Sequence, residues 1–86
     1  MPEISRFFGI VIRMFFDDHN PPHFHAEYGD NEALIDIQTL RLFAGHLPPR
    51  AFGLVIEWAT IHQQELVDDW HRAQSQETLR KIDPLE

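Results

Sequence analysis

The chain has 86 residues, 43% of them hydrophobic, no cysteine, and a formal net charge of −7 with histidines neutral. That length makes one domain, the absence of cysteine rules out disulfides and thiolate metal sites, and no apolar run approaches a membrane span. The seven basic residues (Arg6, Arg13, Arg41, Arg50, Arg72, Arg80 and Lys81) are dispersed, which disfavours nucleic-acid binding by this chain alone and suits a protein partner or a bound cation better.

Residues 4–16 read as one long first strand. Ile4, Phe8, Ile10, Ile12, Met14 and Phe16 share a parity and are all apolar. The other parity, Ser5, Phe7, Gly9, Val11, Arg13 and Phe15, is mixed, and Gly9 marks a bend or bulge. Residues 17–22 form a turn, because Pro21 and Pro22 lack the amide donor that a ladder needs. A second strand over 23–28 then places His23, His25 and Glu27 on one face and Phe24, Ala26 and Tyr28 on the other.

Gly29-Asp30-Asn31 is turn chemistry, and strand three follows over about 32–38. With Asp30-Asn31 at the hairpin tip, Phe24 faces Ile37, His25 faces Asp36 and His23 faces Gln38. A matching register for the first strand sets Arg13 against Glu27 and Phe15 against His25. Only the parity of these registers is constrained, since a one-residue slip turns core residues outward. A short fourth strand covers about 40–44.

Pro48 and Pro49 open a helix over about 48–74, proline being tolerated in a first turn. Its main apolar stripe is Phe52, Val55, Ile56, Ala59, Leu66, Trp70 and Ala73. A second stripe, Ala51, Leu54, Trp58 and Ile61, leaves the first half apolar over most of its circumference. Either the first strand or the tail wraps over it, or Leu54, Trp58 and Ile61 form a partner surface. The tail, 75–86, packs loosely, folds on a partner or is disordered. The expected architecture is α+β: an antiparallel sheet of three to four strands (about 4–44) with one long C-terminal helix packed on one face.

Two chemistries fit the histidine face. His23 and His25, with His19 and Glu27 or Asp36, offer nitrogen and oxygen ligands for a divalent metal: zinc, nickel or iron. Alternatively, a His25–Asp36 dyad with His23 and Arg13 forms an acid–base centre for a metal-free hydrolase or nuclease. The plainer reading is a half-exposed polar sheet face with histidines stacked on Phe15 and paired with carboxylates.

The segments Phe8-Gly9-Ile10-Val11-Ile12-Arg13-Met14 and Asp18-His19-Asn20-Pro21-Pro22-His23-Phe24-His25-Ala26, with the Leu47-Pro48 helix start, resemble a bacterial family catalogued as domain of unknown function 4160. The resemblance runs over essentially the whole chain. It implies a small stand-alone cytoplasmic protein, often encoded beside another short protein in an arrangement like a toxin–antitoxin pair. It carries over no catalytic residue. The expected function is therefore a protein-interaction component of such a two-gene module, with a protein partner or a homodimer. The alternative is a histidine-based or metal-dependent hydrolase acting from the His23/His25 face.

Overall fold

In the computed structural model, which describes residues 2–86, five strands form one antiparallel meander in the order β1-β2-β3-β4-β5. They are β1 (Glu3–Phe7), β2 (Ile10–Arg13), β3 (His23–Tyr28), β4 (Asn31–Asp36) and β5 (Leu42–Gly45). Two helices follow, α1 (Pro49–Ile61) and α2 (Gln63–Gln74). The α+β class is as expected. The strand count and the single helix are not.

The expected first strand is a hairpin. Phe8 and Gly9 both have positive φ, 50° and 79°, as the two central residues of a type I′ turn do. The reversal changes which side chains enter the core. Phe7 is buried against Trp58, with ring centroids 5.3 Å apart, while Phe8 and Phe16 are exposed. Phe7 thus leaves the face that was to carry the site.

The second hairpin turns at Gly29-Asp30, one position earlier than expected. Glycine at the first central position is what a type II′ turn asks for, and Gly29 has φ 59°. The register accordingly moves by two residues: His23 faces Asp36, Phe24 faces Ile35 and His25 faces Leu34. The β2–β3 register moves by two as well, with Arg13 opposite His25. The faces survive both shifts, and Phe24, Ala26, Ala33 and Ile35 are fully buried.

The long helix is interrupted at His62, where φ is −110° and ψ is 22°. Thr60 Oγ1 donates back to the Ile56 carbonyl at 2.7 Å, a contact that bends helices. Beyond the break, Gln63 Nε2 donates to the carbonyls of Ile37 and Gln38, which ties the start of α2 to the end of β4.

The tail is packed. Ile82 is 4% exposed and its amide donates to the Ile4 carbonyl at 2.8 Å. The Arg80 amide donates to the buried Asp69, which also accepts from Arg72, and the Asp83 carbonyl accepts from Trp58 Nε1 at 2.8 Å. Trp58 is 0% exposed and sits among Phe7, Phe24 and His62. The partner surface expected on Leu54, Trp58 and Ile61 therefore does not form. The tail and β1 cover Trp58, Leu54 packs on the core edge, and only Ile61 is exposed.

If the tail seals the core, Ile82→Ala destabilises by about 2–4 kcal/mol, as truncation of a buried isoleucine does. Ile61→Ala, at an exposed position, changes stability by less than about 0.5 kcal/mol. Urea unfolding of the two variants checks this; equal, small effects would mean a tail that is not part of the core.

Candidate metal centre

Strand β3 begins at the second residue after Pro21, and its alternation sends the rings of His23 and His25 to the face opposite Phe24. The connection from β2 to β3 folds back over this strand end. Its course is held by the end of α2 and the turn after it: Gln74 Nε2 donates to the Asp18 carbonyl, and Gln76 Nε2 to the Asp17 carboxylate. The Asn20–Pro21 bond is cis. The Asp18 carboxylate lies over both histidines.

One oxygen meets two rings. Asp18 Oδ2 is 3.0 Å from His23 Nε2 and 3.1 Å from His25 Nε2. The ligand atoms of Asp18, His23 and His25 all lie within 4.8 Å of one another. Three ligands at right angles on bonds of ~2.1 Å stand about 3.0 Å apart, so these separations suit a shared ion.

The outer contacts orient the rings. His23 Nδ1 is 2.7 Å from the Pro21 carbonyl oxygen, which can only accept, so Nδ1 carries the proton. When the ring is neutral this leaves Nε2 as a lone pair pointing inward, and when it is protonated Nε2 forms an ion pair with Asp18. His23 is 4% exposed, walled by Trp70 and Phe43, and its Nε2 has no hydrogen-bond partner despite its nearness to Asp18. His25 donates from Nδ1 to Glu32 Oε2 and from Nε2 to Asp18 Oδ2, each at 3.1 Å, so a metal at Nε2 would take the place of that proton; its ring meets Phe15 edge-on with centroids 4.5 Å apart. Imidazole with its second nitrogen held by a carboxylate or carbonyl is the usual support of a metal-ligating histidine.

Burial pushes the Asp18 carboxyl up. The hydrogen bond from His25, the bond from the His19 amide and the nearby charge of His23 and His25 outweigh it, and the net shift is downward. The carboxylate is thus held in the ionised form that a metal ligand needs.

The other expected residues fall elsewhere. His19 is exposed and contributes its amide to Asp18 Oδ1 at 2.9 Å. Glu27 is taken up by Arg13, whose Nε lies 3.1 Å from Oε1, so neither is added to the histidine cluster. Asp36 does not pair with His25: its Oδ1 accepts from the amides of Gln38 and Thr39 and closes the turn after β4. The acid–base dyad built on that pair loses its geometry. Asp18, which falls in the turn expected over residues 17–22, places one oxygen on the His19 amide and the other on the two rings. The spacing Asp18-x4-His23-x-His25 was the available signal, because a loop that must return to the start of a strand passes over that strand's first residues.

The chain belongs to the family described as Domain of unknown function (DUF4160), whose profile matches residues 9–71 and so includes all three ligand candidates. No curated protein and no solved structure matches the chain.

The lowered Asp18 pKa has a consequence for stability. A carboxyl whose folded pKa lies below its ordinary value of 3.8 contributes stability that is fully present above that value and is lost as pH falls through the folded pKa. Asp18→Asn is therefore less stable than the parent near neutral pH, and the difference closes in acid. Urea midpoints across an acid pH series measure it; a gap that is constant with pH would mean that the ionised carboxylate plays no such part.

Proposed function

We propose that this member of the family is a divalent-metal protein that holds zinc, nickel or iron on Asp18, His23 and His25 and hydrolyses its substrate there. The observation that carries the reading is the buried, unpartnered Nε2 of His23, turned toward an ionised carboxylate and a second imidazole. Two His and one carboxylate is a ligand set that leaves coordination positions open, and such a position supplies an activated water. The chain's own groups do the rest. The Pro21 carbonyl and Glu32 hold the ring orientations, and Phe15, Phe43 and Trp70 pack against the two rings.

A second reading, the interaction component of a toxin–antitoxin-like two-gene module, is favoured by a different observation. Strand β5 is an edge strand, all four of its residues are exposed, and it presents Leu42 and Phe43. An unpaired edge with apolar side chains is a template for a partner's strand. Phe43 also touches His23, so a partner docked there would border the metal centre.

Titration of metal-free protein with zinc and nickel by calorimetry tests the first reading. Saturable one-to-one binding is expected, abolished by His23→Ala or Asp18→Ala and weakened about 10–100-fold by Glu32→Gln. His19→Ala and Glu27→Gln leave it unchanged. Weak binding that His19→Ala reduces as much as His23→Ala would refute the site, and a saturated protein that hydrolyses no screened ester or phosphoester would remove the enzymatic part of the reading.

A further inference from the structure

A second cavity, of about 240 Å³, lies at the far end of β3. It is lined by Phe8, Ile10, Tyr28, Arg50, Ala51 and Leu54. His23 and Tyr28 stand at opposite ends of this strand, five steps or about 17 Å apart, so the cavity is separate from the metal centre.

Its rim is built against the local preferences of the chain. Position one of a type I′ turn favours asparagine, aspartate or glycine, and a bulky residue at φ 50° is an outlier. Phe8 nonetheless occupies it and is 58% exposed, contributing nothing to the core cluster. A strained, exposed residue outside the core cluster points to a ligand. Tyr28, also exposed, lies across Gly9, where an added Cβ would stand 3.5 Å from its ring. Buried Ile10 and Ala51 make the floor, and Leu54 one wall.

The polar side of the cavity is cationic. Arg50 is the second residue of α1, and no ion pair or hydrogen bond is formed by its side chain among the described residues. The first turn of α1 has neither an acidic residue nor a side-chain cap. The positive end of the helix dipole and a guanidinium therefore lie at the same opening, and among the described residues no acidic side chain lines it.

We propose that this cavity binds a small carboxylic acid with an aromatic or branched aliphatic body. The body lies between Phe8 and Tyr28 over Ile10, and the carboxylate takes the Arg50 guanidinium and the backbone amides of Arg50 and Ala51, since Pro49 has none and that of Phe52 is donated to the Pro48 carbonyl. The volume lies below the ~300 Å³ at which drug-sized sites begin, which favours a small free acid over a longer segment.

Phenylpropionate titrated into the isotope-labelled full-length protein and followed by amide NMR tests the site. Saturable shifts at Gly9, Tyr28, Arg50 and Ala51 are expected, with His23 and His25 unmoved. Phenylpropionamide, which lacks the charge, and the Arg50→Gln variant should each bind at least about tenfold more weakly, the usual worth of a charged hydrogen bond. Phe8→Asn should raise the melting temperature, since asparagine suits the turn, while weakening binding; a purely structural Phe8 would not couple those opposite effects. Equal binding of acid and amide, unchanged affinity in Arg50→Gln, or no saturable shift would overturn the proposal. A short peptide ending in a phenylalanine carboxylate that binds more tightly than the free acid would overturn the choice of a small molecule.

Discussion

A strand with one buried face can move against its neighbour only in steps of two residues, and this constraint governs the protein. Phe24 and Ala26 are buried on one side of β3, so His23, His25 and Glu27 must emerge on the other. Everything proposed for the metal centre follows from that parity. The rings share a face because the core fills the opposite one, and the loop that leads into β3 need only return across its first residues to bring a carboxylate onto both.

The same constraint explains what was legible in the sequence. Alternation assigns faces, and the histidine face was read from it correctly. Alternation does not assign register, because every two-residue shift satisfies it equally. The β3–β4 pairing depends instead on the turn, where the positive φ of Gly29 selects a tip one residue earlier than Asp30-Asn31. That small change separates Asp36 from His25 and commits it to the turn after β4. The β1–β2 hairpin was hidden for another reason. Its turn begins with phenylalanine, so no local propensity announced it, and Gly9 read as a bend inside one strand. The residue that misled the reading of the fold is the one that rims the second cavity.

The helical half shows how burial is shared in a chain this small. A helix apolar around most of its circumference needs two covers, and a single sheet face supplies one. The second comes from the tail: Ile82 and the Asp83 carbonyl close over Trp58 while Arg80 binds buried Asp69. Periodicity located the uncovered stripe but could not say what covers it. The tail's three apolar residues, Leu79, Ile82 and Leu85, all end in or against the core. The apolar surface that remains for a partner has moved to the β5 edge.

The metal reading rests finally on one proton. With Nδ1–H on the Pro21 carbonyl, the neutral form of His23 turns its lone pair toward Asp18 and His25. Nitrogen-15 spectra of the imidazole rings report that tautomer directly. Metal-free protein near neutral pH should show His23 with its proton on Nδ1, and zinc should shift Nε2 while the Nδ1 proton stays. A His23 ring that carries its proton on Nε2, unmoved by zinc, would contradict the account.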